Sequence, residues 1–116
     1  MKIRDILNKD TATISFEVFP PKKSTDFGNV EAAALGIAAL QPAYMSVTYG
    51  AGGSTKGHTI ALAEEIQKKH NVPTVAHLTC VCADRSSIGA ALTEMQAAGI
   101  ENILALRGDL PKDFDG

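Results

Sequence analysis

A single carboxylate interrupts an apolar run near the start of the chain: Glu17, in Ser15-Phe16-Glu17-Val18-Phe19-Pro20-Pro21. A carboxyl group held among apolar neighbours is disfavoured in its charged form, so its pKa rises and it can act as a general acid near neutral pH. The plainer alternative is a strand-end glutamate paired with Lys22 or Lys23. Further along, Tyr49-Gly50-Ala51-Gly52-Gly53-Ser54-Thr55 permits positive φ and close approach of the backbone to a ligand. It lacks both the Gly-Lys-Ser/Thr of a phosphate-binding loop and the spacing of the dinucleotide fingerprint, so a tight strand-to-helix connection explains it equally well. His77, set among Val75, Ala76, Leu78 and Thr79, is either a base or a hydrogen-bonded core or rim histidine. Arg107-Gly108-Asp109 puts a fixed cation and a fixed anion side by side, and its likeness to a cell-adhesion tripeptide is a chance match. His58 and His70 have no supporting constellation and read as surface residues.

Cys80 and Cys82 are one residue apart, a spacing that sends side chains to opposite faces of a strand and argues against a disulfide between them. Nor does it match the pairs of a structural zinc site, so no metal is expected. The 116 residues carry a formal net charge of −2 and no Lys/Arg run, which removes the electrostatic footprint of nucleic-acid or anionic-membrane binding. No stretch is apolar enough for a membrane span, and the start has no signal-peptide pattern, so a cytoplasmic protein is expected. With 45% hydrophobic and 21% charged residues, the composition is that of a packed globular domain.

The elements that must position these residues follow from periodicity. Four runs rich in Val, Ile, Thr or aromatic residues are expected as strands: Thr13 to Val18, Tyr44 to Tyr49, Thr74 to Thr79 and Asn102 to Leu106. Several are almost continuously apolar, as strands covered on both faces are, which favours a parallel sheet. Between them, Phe27, Val30, Ala34 and Ile37 share one helical face, behind Ser24, Thr25 and Asp26 as candidate caps. Ile60, Ala63 and Ile66 mark a second helix ending in the cations Lys68, Lys69 and His70. Ile88, Leu92, Met95 and Ala98 mark a third, with Ser86 or Ser87 as its cap and Gly99 as its stop. A short amphipathic piece, Ile3 to Leu7, precedes the first strand.

Strand, loop and helix thus repeat at βαβ length, consistent with half of a (βα)8 barrel or with a doubly wound sheet. The polar clusters choose between them. Each falls at or just after a strand end, where a barrel gathers its site from several βα loops. A complete barrel takes about 250 residues, so this chain supplies about the first four βα units and would leave sheet edges open, either as part of a longer chain or paired with another copy or chain.

Taken in order, Ser15-Phe16-Glu17, Pro20-Pro21, Val47 to Thr55, His77-Leu78-Thr79-Cys80 and Ala105-Leu106-Arg107-Gly108-Asp109 resemble the methylenetetrahydrofolate reductase family over nearly the whole chain. Departures are small: Lys56-Gly57-His58 stands where members often carry a more charged segment, and Leu110 where proline is frequent. The resemblance implies an α/β fold, a (βα)8 TIM barrel, with residues 1–116 as the amino-terminal part of one catalytic domain. It implies bound FAD, NADH or NADPH as reductant in a ping-pong scheme, and reduction of 5,10-methylenetetrahydrofolate to 5-methyltetrahydrofolate in one-carbon and methionine metabolism. A homo-oligomer is implied for the full-length form.

By the same resemblance Glu17 matches the general acid that protonates the departing nitrogen as the folate ring opens. Asp109 matches a catalytic carboxylate near flavin and pterin. Tyr49, Ala51, His77, Arg107 and Gly108 match FAD contacts, and Thr48 matches a position near the nicotinamide. Two other classes stay open: a catalytically incompetent half-barrel fragment, and an unrelated small α/β binding module. The second would need a closing element after Asp109, where Pro111 to Gly116 reads as a loop.

Overall fold

Four strands, β1 (Ser15–Val18), β2 (Tyr44–Val47), β3 (Thr74–Thr79) and β4 (Asn102–Leu106), lie side by side in sequence order. Every neighbouring pair is parallel. The computed structural model describes residues 1–50, 55–110 and 112. Each parallel step is made by a helix: α2 (Phe27–Ala38), α3 (Lys56–His70) and α4 (Arg85–Ala97). A parallel sheet with alternating helices is what the spacing predicts, although β1 begins two residues later and β2 ends two residues earlier than expected.

Alternation along the strands sorts the side chains. Met45, Val47, Ala76 and Leu78 face the helices and are buried with Ala34, Leu62, Ala63, Ile66, Ala91 and Met95. Residues one position out of phase, among them Glu17, Ser46, His77 and Leu104, occupy the opposite face, over which none of the three connecting helices packs.

The helices keep the expected faces and ends with three corrections. In α4 the buried positions are Ala91 and Met95, while Leu92 is 40% exposed because its place in the turn points away from the sheet. The cap of α4 is Asp84 rather than Ser86 or Ser87: its carboxylate accepts the Ser87 amide at 2.7 Å, and the Ser87 hydroxyl accepts the Asp84 amide at 3.0 Å. That reciprocal pair holds the Asp84 carboxyl below the usual carboxylate range, chiefly through the Ser87 amide. None of Ser24, Thr25 and Asp26 caps α2 through its side chain; they form a 3-10 turn that runs straight into the helix. Helix α3 ends at Lys68, Lys69 and His70 as expected, with Asn71 in the left-handed conformation closing it. Gly99 has φ +79° and stops the chain after α4.

The short helix α1 (Ile3–Leu7) sits at the amino-terminal ends of the strands. There the Asn102 side chain accepts the Ile3 amide at 3.0 Å and donates to the Met1 carbonyl at 2.9 Å. The carboxyl ends, where the polar clusters lie, are left clear of it.

Candidate active site

Glu17 is the middle of the site. Strand alternation sends Phe16 and Val18 to the helix side and Glu17 to the other face, so its sequence neighbours do not enclose it, and its side chain is 48% exposed. The apolar enclosure expected from the sequence is therefore not supplied by Phe16, Val18 and Phe19. Its partners are not Lys22 or Lys23 either. The Ser46 hydroxyl donates to Glu17 Oε1 at 2.9 Å, and His77 Nε2 stands 3.2 Å from the same oxygen with only 14% of its side chain exposed. Glu17 and Ser46 are register partners on adjacent strands, and His77 lies two residues beyond Val75, the partner of Ser46. Three strands thus converge on one carboxylate. Beside it an open trough of about 530 Å³ runs along this face from Ser46, His77 and Leu104 back to Ile3, Glu101 and Asn102 at the amino-terminal ends of the strands.

The loop after β2 is held from below by threonines. Thr55 Oγ1 accepts the Gly50 amide at 2.7 Å, Thr59 Oγ1 donates to the Thr48 carbonyl at 2.8 Å, and Thr79 Oγ1 donates to the Gly50 carbonyl at 3.2 Å. Thr55 and Thr59 are one turn apart and buried, which ties the start of α3 to the strand end. Thr48 and Gly50 are fixed in this way, while Ala51 lies outside the described residues. The Tyr49 side chain goes to the helix side, where it packs on the core beside a cavity of about 210 Å³ shared with Lys56, Leu78 and Ile88. Burial pushes the Tyr49 hydroxyl up from its ordinary pKa, partly offset by the Lys56 charge. Any contact of Tyr49 with a ligand above the strand ends falls to its backbone.

Beyond β4, Arg107 and Asp109 are exposed. The Val81 amide donates to the Arg107 carbonyl at 2.8 Å and extends the β3–β4 ladder past the strand ends. Gly108 has φ +85°, and a Cβ there would lie 2.9 Å from Thr79 Cβ, so only glycine fits without a shift. Asp109 makes no hydrogen bond or ion pair with the Glu17 cluster among the described residues. β1 and β4 are opposite edges of the sheet, three strand spacings or about 14 Å apart. Glu17, Ser46 and His77 are brought together; Arg107, Gly108 and Asp109 form a second group at the same end.

The family model described as methylenetetrahydrofolate reductase matches residues 2–116. The chain belongs to the methylenetetrahydrofolate reductase family. It is 40% identical over 119 residues to methylenetetrahydrofolate reductase 2 of Schizosaccharomyces pombe, a match covering 99% of this chain and 19% of that protein. It is 36% identical over 114 residues to methylenetetrahydrofolate reductase (NADH) 1 of Arabidopsis thaliana, covering 98% and 19%. To the 5,10-methylenetetrahydrofolate reductase of Pectobacterium carotovorum subsp. carotovorum it is 32% identical over 116 residues, covering 95% and 39%. The chain therefore spans about a fifth to two fifths of the length of these relatives.

Three residues of this reductase-family chain escape sequence reasoning. Ser46 looks like an ordinary strand serine, and only its register opposite Glu17 gives it a role. Thr59 announces itself faintly, four residues after Thr55 at the start of a helix. His58 is no bare surface residue: its Nδ1 donates to the Pro21 carbonyl at 2.8 Å and its Nε2 meets the Ser24 hydroxyl at 3.3 Å. Its ring also stacks at a tilt on Phe27, with centroids 5.5 Å apart. It pins the loop that follows Glu17 to α3. Cys80 and Cys82 are free, exposed thiols in the turn after β3, outside the strand.

Proposed function

We propose that these 116 residues form the first four βα units of a (βα)8 TIM barrel that reduces 5,10-methylenetetrahydrofolate to 5-methyltetrahydrofolate, with FAD as bound cofactor and NADH or NADPH as reductant. The observation that carries the reading is the Glu17–Ser46–His77 cluster on the sheet face that the helices leave free, in a chain of this family. Barrel closure is favoured by β1 and β4, two open edges, and by Ile103 and Leu104, apolar yet exposed at the β4 edge, where a fifth parallel strand would cover them. No helix among the described residues is long and apolar enough to cross a membrane. A cytoplasmic homo-oligomer serving one-carbon and methionine metabolism completes the proposal.

The strand-end donors suit a flavin dinucleotide. Arg107 offers a planar, permanently charged guanidinium for phosphate, of which, among the described residues, Nε alone is engaged, on the Gly108 carbonyl at 3.0 Å. Gly108 lets the backbone approach closely, Thr48 and Tyr49 directly follow β2, and His77 lies in β3, while Ala51 is assigned to the flavin by the resemblance alone. When bound, FAD supplies two-electron hydride acceptance and donation, which no side chain of this chain can. What the chain supplies is acid and charge. The Glu17 O–H bond breaks as its proton passes to the departing folate nitrogen; the ring C–N bond breaks with its electron pair moving to that nitrogen, and a cationic iminium remains on the substrate. Asp109 gives that cation a fixed negative charge at the same end of the sheet.

Glu17→Gln in the full-length enzyme tests the reading, because it keeps shape and hydrogen bonding but removes the transferable proton. Flavin reduction by the nicotinamide should survive, whereas folate reduction should fall by roughly 10²–10⁴-fold. Retained folate reduction in a folded, flavin-loaded Glu17→Gln enzyme would remove Glu17 from the mechanism.

A further inference from the structure

We propose that Ser46 is the positioning residue of the acid: with His77 it claims Glu17 Oε1, so that Oε2 is the oxygen that carries and releases the proton. The inference rests on the reading of Glu17 as the acid and specifies how that acid is held. Two observations support it. The Ser46 hydroxyl donates to Oε1 at 2.9 Å, and His77 Nε2 lies 3.2 Å from that same atom, while no hydrogen bond or ion pair to Oε2 occurs among the described residues. The arrangement also follows from the fold, because Ser46 is the register partner of Glu17 and both strands are parallel and paired along β1.

The chemistry of a carboxyl group then distinguishes its two oxygens. A proton on Oε1 would point into a hydroxyl hydrogen and an imidazole edge; a proton on Oε2 meets neither. When the Oε2–H bond breaks, negative charge spreads onto Oε1, where the Ser46 hydroxyl already points. A hydrogen bond to a group gaining charge strengthens as the charge grows, so the donation favours the transition state over the ground state. Ser46 thereby lowers the barrier to ring opening without touching the substrate. Its half-buried site at the edge of the trough also holds the Glu17 side chain in one orientation, which a 48% exposed carboxylate would otherwise not keep.

The experiment uses full-length, FAD-loaded enzyme and four variants: Ser46→Ala, Ser46→Thr, Glu17→Gln and the Ser46→Ala/Glu17→Gln double. Stopped flow reads the two half-reactions separately, and flavin absorbance after gel filtration reads cofactor retention. Ser46→Ala is expected to slow the folate half-reaction by roughly 10- to 100-fold, the worth of one hydrogen bond to a charged group. Its rate of reduction by the nicotinamide, its flavin content and its KM for folate should stay as they were. Ser46→Thr, which keeps the hydroxyl on a strand-compatible residue, should recover most of the rate. In the Glu17→Gln background Ser46→Ala should add less than about twofold, since Ser46 acts only through the acid. Should Ser46→Ala not accumulate, Ser46→Cys, nearly the same shape with a weak donor, reads the same split. A normal folate rate in Ser46→Ala beside a slow Glu17→Gln overturns the role of Ser46 and leaves the acid standing. Equal slowing of both half-reactions, or losses that multiply fully in the double variant, also overturns it. A Glu17→Gln enzyme that still reduces folate overturns both readings together.

Discussion

Met45 and Ser46 are neighbours in the chain and belong to different chemistries. Met45 is fully buried against the helices, whereas Ser46, one residue on, donates to Glu17 at the rim of an open trough. The same alternation divides the whole sheet: Val47, Ala76 and Leu78 hold α2, α3 and α4 in place, and Glu17, Ser46 and His77 face away from them. One face supplies stability from apolar area removed from water. The other carries polar groups whose hydrogen bonds are partly solvated and add little to folding. A parallel βα sheet can therefore vary its chemistry without disturbing its core.

The largest test of that contrast is Met45→Ala against Ser46→Ala, measured by urea unfolding. Met45→Ala should lower the unfolding free energy by about 2–5 kcal/mol through lost burial and a cavity, while Ser46→Ala should change it by no more than about 1 kcal/mol. Similar losses at both positions would mean that the two faces are not energetically distinct.

A second, smaller comparison uses glycine. Gly108→Ala must adopt φ +85° and bring a Cβ to 2.9 Å from Thr79, so a loss of about 1–2 kcal/mol is expected, with weaker retention of the proposed flavin in the full-length protein. Gly36→Ala, in α2 with open space around the added carbon, should instead stabilise by about 0.5–1 kcal/mol. Matching signs in thermal melts would show that strand-end geometry is not what demands Gly108.

The smallest expected effect lies at the Asp84 cap. Its folded pKa is lowered, so its contribution to stability is complete above the unfolded carboxylate value and fades as pH falls through the folded one. Asp84→Ala should lower the thermal midpoint by a few degrees at neutral pH. The gap between parent and variant should shrink in acid. A gap that stays constant into strong acid would assign the cap's value to something other than the carboxylate charge.

Element order was legible because apolar runs and helical faces are local signals. Ile60, Ala63 and Ile66 are buried where a 3.6-residue period puts them, and Gly99 stops the chain where a positive φ was needed. The failures share a cause. Residue type favours Ser86 or Ser87 as the cap of α4 because serine caps well, yet Asp84 takes the position by pairing with Ser87 in both directions. Spacing puts Leu92 on the apolar face that marks α4, but the buried stripe of α4 is narrow and runs through Ala91 and Met95.

The site divides in the same way. That a carboxylate, a histidine and an Arg-Gly-Asp group fall at or near strand ends is readable from local pattern, because strand and turn signals are carried by residues close along the chain. Which of these groups meet depends on how the strands pair. Ser46 is 29 residues from Glu17, and His77 lies a further helix and strand away. Their convergence on one oxygen is set by the parallel register of three strands, a property that no short stretch of sequence contains. The exposure of Glu17 was decided there too: Phe16 and Val18 are next to it in sequence and, by the period of two, on the far side of the sheet in space.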